Sequence, residues 1–244
     1  MPIGLKEDIT NVNSISVIIP AWDEEGGIRQ TIGGIPRSEL QKMGYQLQIL
    51  VVDGVSKDAT VEMAQNAGAE VIIEPRRGYG RAYKTGFANA KGDIIVTADA
   101  DGSYPMQDIP KLVKILEDKK LDFITTNRIA HLTKGAMPLR NRIGNVVLGA
   151  ETRILYGLKM KDPESGMWIF KRDILNRLKI ETDNNTFSHE IKLEACFFAR
   201  CAWEEIPISY ISRSGGSSKL TYGWSGWKSG FGNFVHICKK RIIR

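Results

Sequence analysis

The stretch "DIIVTADADGSYP", residues 93–105, carries an apolar β-branched run straight into two carboxylates, Asp99 and Asp101, set one residue apart before a turn that Pro105 closes. Ile94, Ile95, Val96 and Thr97 are residue types that pack well on a pleated surface, so the run reads as a short buried strand. Two acids at the mouth of such a strand repel each other unless something cationic lies between them. A hard divalent ion suits the pattern. Mg2+ and Mn2+ prefer oxygen ligands, keep several waters, and often take only one or two protein carboxylates beside substrate phosphates. The plainer alternative is a turn capped by Asp and Ser side chains. A calcium loop of the EF-hand kind is excluded by register: counted from Asp99, glycine stands fourth and proline seventh, where that loop needs glycine sixth.

Similar runs recur on both sides. "SISVIIPAW", "LQILVVDG", "EVIIE", "LDFITTN", a short segment at residues 168–171 and "EEIPISYI" read as strands. Between them "DATVEMAQNAG", residues 58–68, opens on an acid and closes on a glycine, and "DIPKLVKILEDKK", residues 108–120, has apolar residues at three- and four-residue spacing. Further helices are expected over residues 140–156 and 188–200. Strands alternating with helices predict an α/β fold, Rossmann-like, with a mostly parallel central sheet flanked by helices. Ligands of such sheets gather at the carboxyl ends of the strands. There the chain places Trp22, Asp23, Glu24 and Glu25 after the first strand, Asp53 after the second, an arginine-rich turn after the third, and Asp99 and Asp101 after the fourth. "PAWDEEGG" puts carboxylates where the pyrophosphate of a dinucleotide would approach, which argues against a Rossmann cofactor. "GYGRA", residues 78–82, reads either as a phosphate-binding loop or as a plain turn.

The 244 residues are enough for one large core, and 42% apolar with 25% charged residues is ordinary for a globular chain. No run is long and apolar enough for a membrane-spanning helix and the first residues lack the pattern of a signal peptide, so a cytoplasmic setting is expected. Three cysteines without a CxxC pair make neither a zinc knuckle nor a disulfide framework. The net charge of +6 is unevenly spread: no acid follows Glu205, while seven basic residues do. Residues 75–92 and 123–150 also contain no acid, and hold Arg76, Arg77, Arg81, Lys84 and Lys91 in the first and Arg128, Lys134, Arg140 and Arg142 in the second. Such clusters point to anionic ligands, phosphates foremost. Nucleic acid is not expected, because the upstream rim is acidic and no nucleic-acid-binding motif is present.

Six segments in order carry a family likeness: "VIIPAWDEE", "VVDGVSKDAT", "RRGYGRAYKTGFANAKGD", "DADGS", "DPESGMWIFKRD" and "EEIPISYISRSGGSSKL". Over residues 16–220 the chain resembles the family 2 glycosyltransferases of GT-A fold, and within them the dolichyl- or polyprenyl-phosphate hexose synthases such as dolichol-phosphate mannose synthase. The resemblance implies that Pro20, Trp22 and Glu24 line a nucleotide sugar, with Asp53 hydrogen-bonding its base. It puts Asp99, Ala100 and Asp101 at the diphosphate, with Asp101 and Ser103 at a Mg2+ or Mn2+ ion. Arg213 and Lys219 would fold over the phosphates. Arg128, assisted by Arg140 and Arg142, would receive an acceptor phosphate. Where those mannose synthases commonly carry Gln and Tyr, this chain has Ser103 and Trp22.

The chemistry implied is an inverting transfer of a hexose from a GDP- or UDP-sugar to dolichyl or polyprenyl phosphate. Asp99, Asp101 and Arg128 are its expected catalytic residues. A lipid phosphate is already largely ionised at neutral pH and needs no strong base. A soluble or glycan acceptor would need one, and Glu190, beside His189, is the candidate for it; a nucleotide-binding membrane-surface protein without turnover is the third possibility. Residues 1–215 are expected to form the catalytic domain. Residues 216–244, with Trp224, Trp227, Phe231, Phe234 and a terminal basic cluster, form a tail suited either to the cytoplasmic face of a membrane or to packing on that domain as a helix.

Overall fold

A computed structural model of the chain describes residues 13–214 and 224–243. In chain order the elements are β1 (Ser14–Ala21), α1 (Ile28–Gly33), α2 (Arg37–Lys42), β2 (Gln46–Asp53), α3 (Thr60–Asn66), β3 (Glu70–Ile73), α4 (Tyr79–Asn89) and β4 (Ile94–Thr97). They continue with α5 (Ile109–Asp118), β5 (Phe123–Leu132), α6 (Leu139–Tyr156), β6 (Trp168–Lys171), α7 (Phe187–Leu193), β7 (Trp203–Tyr210) and α8 (Trp224–Ile243). The strands form one sheet in the order β3-β2-β1-β4-β6-β5-β7. β1 lies parallel to β2 and β4, β2 parallel to β3, and β5 parallel to β7; β6 runs antiparallel between β4 and β5. The mixed α/β class with a mostly parallel sheet thus matches the expectation, and the short antiparallel strand at residues 168–171 is the irregular member.

Both faces of the sheet are buried, which is why its central strands read as near-continuous apolar runs. On β1, Ile15, Val17 and Ile19 join α1 and α5 through Ile28, Ile32, Leu112 and Leu116 on one face. Ile18 points the other way, to a layer built from Ala82, Tyr83, Trp168 and Phe187. Because β1, β2 and β4 are parallel, their carboxyl ends bring Ala21, Asp53 and Thr97 to one rim.

Two segments depart from the sequence reading, and the tail takes one of the two forms expected of it, a helix packed on the domain. "GYGRA" is neither loop nor plain turn over most of its length: Gly78, at φ 140°, ends the turn, and Tyr79 opens α4. A side chain at Gly78 would come within 2.1 Å of the Asp183 carbonyl. Arg81 and Lys84 of this helix pair with Asp183 rather than with the ligand rim. The helix expected over residues 188–200 is α7 followed by a π-helical turn, Glu194–Phe198. Its charged residues His189, Glu190, Lys192 and Glu194 are all buried, so burial on every side replaced the amphipathic stripe. Residues 224–243 form α8, docked against α6 and α7 through a Tyr156 hydroxyl donated to the Ile237 carbonyl (2.7 Å), the buried Ile237, and Lys240, whose ammonium reaches Glu190 at 2.5 Å and Glu194 at 2.8 Å.

Candidate active site

The turn after β4 holds Asp101 nearly buried. Its Oδ1 accepts the Ser103 backbone N–H at 3.0 Å and the Ser103 hydroxyl at 2.5 Å, and its Oδ2 pairs with Arg213 Nη2 at 3.0 Å. Gly27, after β1, lies so close that a Cβ would sit 2.6 Å from the Asp101 backbone, so this approach requires glycine. The segment leaving β7 is stitched over the same turn: Ser214 N–H donates to the Asp101 carbonyl at 2.9 Å and Ile211 N–H to that of Ser103 at 3.3 Å. Asp99 takes the Tyr79 hydroxyl at 2.9 Å. Burial first, and the Asp101 charge second, push the Asp99 carboxyl up to about 6.

Two adjoining carboxylates of which one is strained by burial and like charge make a donor set that a divalent cation would relieve. Among the described residues no group of three or more His, Cys, Asp or Glu converges to hold a metal. The residues present therefore fit an ion that takes only one or two protein carboxylates and completes its shell from substrate and water. The hydroxyl of Ser103, expected as a metal ligand, donates to Asp101 and orients that carboxylate.

The nucleotide half of the rim is formed by β1 and β2. Trp22 is exposed and carries the Arg77 guanidinium 4.2 Å above its ring. Asp23 and Val55 sit at φ 49° and 64°, left-handed conformations that side chains, a β-branched one most of all, seldom adopt. The two turns are cross-bonded, Asp23 N–H to the Ser56 hydroxyl at 2.8 Å and Lys57 N–H to Asp23 Oδ1 at 2.7 Å. Glu24 lies in the first of these turns, its N–H on the Thr60 hydroxyl at 2.8 Å. Asp53 is fully buried and receives the Ser56 N–H and hydroxyl at 2.8 and 2.5 Å. Pro20 is the penultimate residue of β1, and Ala100 is buried between the two acids.

On the opposite side, Arg128 emerges from β5 and is gripped by Asp162. Its Nε and Nη2 each reach that carboxylate at 2.8 Å, as does its own backbone N–H. Burial works against its charge, but Asp162 outweighs it and keeps the guanidinium protonated. Because Asp162 takes the Nε and Nη2 edge, the Nη1 edge is the one left for a ligand. The ring of Tyr210 lies 5.4 Å from this guanidinium. Arg140 and Arg142 are exposed on the first turn of α6. Lys219 lies outside the described residues.

His189 and Glu190 face inward. Glu190 is fully buried; burial opposes its ionisation, but the His236 ring 3.5 Å away and hydrogen bonds from Lys240 and Thr182 hold the carboxyl below its usual range. The His189 ring has its Nε2 2.7 Å from the Thr152 hydroxyl. Neither position suits a base for an acceptor in the cleft. Sequence reading missed Tyr79, Tyr104, Asp162, Gly166 and Lys192. Asp162 and Gly166 lay inside the quoted "DPESGMWIFKRD", but nothing in that string tells that one would clamp Arg128 and the other would leave room for Asp99. A Cβ on Gly166 would meet the Tyr79 hydroxyl at 2.6 Å and Asp99 Oδ1 at 3.0 Å.

The fold is of GT-A glycosyltransferase type: glucosyl-3-phosphoglycerate synthase from Mycobacterium tuberculosis, solved with Mn2+, UDP and glucosyl-3-phosphoglycerate, superposes at a TM-score of 0.72 over 93% of this chain and 80% of its own, at 22% identity. Residues 16–179 match the model of glycosyl transferase family 2, and the chain belongs to that family. A dolichyl-phosphate hexose transferase of Haloferax volcanii is 30% identical over 95% of this chain and 97% of its own length. The low-salt glycan biosynthesis hexosyltransferase Agl6 of the same organism is 31% identical over 92% of this chain, which spans 54% of Agl6.

Proposed function

We propose that the protein transfers a hexose from a GDP- or UDP-sugar to the phosphate of a dolichyl or polyprenyl lipid, with inversion at the anomeric carbon. The observation that carries this reading is the facing of a pinned, permanently charged Arg128 and the Asp99–Asp101 corner on one rim, close enough that the charge of Arg128 is felt at Asp99. The name of the Haloferax dolichyl-phosphate hexose transferase, similar over nearly the whole chain, supports it. Asp101, with Asp99, would hold Mg2+ or Mn2+, which supplies positive charge against the leaving diphosphate when bound; the glucosyl-3-phosphoglycerate synthase solved with Mn2+ or Mg2+ and UDP shares the fold.

Pro20, Trp22, Glu24, Asp53 and Ala100 would border the nucleotide sugar. Arg213, and Lys219 with it, would turn from the carboxylates toward the diphosphate, where charge grows in the transition state. Arg128 presents an acceptor phosphate that is already ionised, so that transfer needs no base. This fits the inward packing of Glu190 and leaves the soluble-acceptor alternative without its base. A peripheral seat on the cytoplasmic membrane face belongs to the same reading. Of the fifteen exposed large apolar side chains among the described residues, ten lie on α6 and α8, including Ile143, Val147, Ile154, Phe231 and Ile242. No described helix is long and apolar enough to cross a membrane.

The test is to incubate the protein with radiolabelled GDP- and UDP-sugars, Mg2+ or Mn2+, and dolichyl phosphate. Label is expected in the organic extract with wild type and with the surface control Asp118→Ala, and not with Asp101→Ala. Label that enters only water-soluble acceptors would replace the lipid reading; no transfer from any donor by folded protein would remove the enzyme reading.

A further inference from the structure

The phenol of Tyr104 holds a hydrogen-bond donor that the protein does not use. Its oxygen accepts the Gly166 backbone N–H at 2.6 Å, so the phenolic proton has to turn elsewhere. The polar groups nearest in charge are Arg128, Asp99, Tyr210 and Asp162. Arg128 has no acceptor. Asp162 is saturated with four donors: the backbone N–H and Nε of Arg128 on one oxygen, Nη2 of Arg128 and Nδ2 of Asn145 on the other. Asp99 takes the hydroxyl of Tyr79 on Oδ1 and no hydrogen bond joins it to Tyr104, and Tyr210 meets Tyr104 edge to face, ring centres 5.3 Å apart. Among the described residues none accepts the Tyr104 proton.

The phenol is also held firmly in place. The Ser165 carbonyl takes Lys192 Nζ at 2.7 Å, Trp168 Nε1 at 2.6 Å and the Ser188 hydroxyl at 3.0 Å. Three donors on one carbonyl polarise the peptide that joins Ser165 to Gly166, and so strengthen the N–H that points at Tyr104.

We propose that Tyr104 is a further substrate-binding residue, whose hydroxyl donates to a phosphate oxygen of the acceptor held by the Nη1 edge of Arg128. This rests on the lipid-phosphate reading above. The guanidinium edge and the phenol are both donors, and together they select an oxygen that only accepts, as those of a phosphate monoester do. A neutral donor orients that phosphate while drawing less charge from the attacking oxygen than a second cation would.

Tyr104→Phe in the full chain keeps the ring and removes the donor. Calorimetry is run with geranylgeranyl phosphate in one arm and with UDP or GDP plus Mg2+ in the other. Acceptor affinity is expected to fall about tenfold, the effect of one charge-assisted hydrogen bond, with nucleotide affinity within about twofold of wild type. Unchanged acceptor affinity, a loss confined to nucleotide, or a parallel loss of both would overturn the proposal; the parallel loss would mark a purely structural role, since Gly166 N–H loses its partner in the variant. Wild type that binds no geranylgeranyl phosphate would sink the lipid-phosphate reading itself. Should the variant not fold, wild type carrying tyrosine labelled with 13C at Cζ gives the answer without substitution. A tyrosine resonance is expected to move with geranylgeranyl phosphate and not with nucleotide and Mg2+, and no such movement refutes the assignment.

Discussion

Asp101 is a carboxylate held from three sides, by Ser103, Arg213 and the strap that ends at Ser214. Pre-orientation of this kind means that a ligand meets the group already in place, with little reorganisation left to pay. Gly166 has the complementary duty of leaving space. Gly166→Ala forces a methyl against Tyr79 and Asp99, and turnover is expected to drop at least tenfold in a steady-state assay while far-UV circular dichroism stays that of wild type. Arg128 and Asp162 form a buried pair whose two halves depend on each other. Arg128→Met should lower the unfolding free energy in urea by about 3 kcal/mol, because Asp162 is left as an uncompensated buried charge. If stability were untouched, the clamp would be incidental.

At the scale of elements, α7 shows how a helix can be polar in sequence and internal in space. Its lysine and its acid are each met by another segment: Lys192 by the carbonyls of Pro163 and Ser165, Glu190 by residues 181 and 182 and by α8. Lys192 has burial pressing its ionisation down to about 8, with Asp162 and Glu164 resisting. Lys240 is the cation that ties α8 to this helix. Lys240→Met leaves Glu190 and Glu194 facing each other inside the protein, and a loss of about 3 kcal/mol is expected in denaturant unfolding, together with faster amide exchange across residues 231–243. Wild-type exchange rates there in the variant would show that apolar contacts alone hold the helix.

Across the whole molecule, the acidic carboxyl rim of the sheet is one surface and the apolar, acid-free outer faces of α6 and α8 are another. If the second surface rests on lipid, Ile154→Glu and Phe231→Glu should each weaken co-sedimentation with anionic vesicles about tenfold. Both side chains are exposed, at 80% and 69%, so thermal unfolding should stay within about 0.5 kcal/mol of wild type. Beneath those helices, burial pushes Glu151 up to about 7, against the hydrogen bond of the Cys238 thiol and with the help of Glu164. The native state keeps a proton there that the unfolded chain releases near 4.5, so this group takes stability away as pH rises from about 4.5 to 7. Glu151→Gln should flatten that decline by about 1 kcal/mol when urea midpoints at pH 5 and 7.5 are compared. Equal slopes in both proteins would show that Glu151 ionises freely.

All seven strands, the helices over residues 58–68, 108–120 and 140–156, and the carboxylate pair after β4 were legible from residue order, because each is a local pattern: β-branched runs, period-3.6 stripes, acids at a strand mouth. The likeness to family 2 glycosyltransferases, carried by segments such as "DADGS" and "DPESGMWIFKRD", was legible for the same reason. The helix α4 hid behind its glycines, since Gly80 and Gly86 serve close packing, a Cβ on them meeting Phe187 at 2.7 Å and Ile18 at 2.5 Å, and so do not break the helix. What only the tertiary structure decided is which charges meet. Residue order offers Arg128, Asp162, Lys192, Glu190 and Lys240 as equal candidates for function; the fold pairs Arg128 with Asp162 across 34 positions and Glu190 with Lys240 across 50. Burial sets the cost of every charge through its long-range neighbours, and no local pattern carries that information.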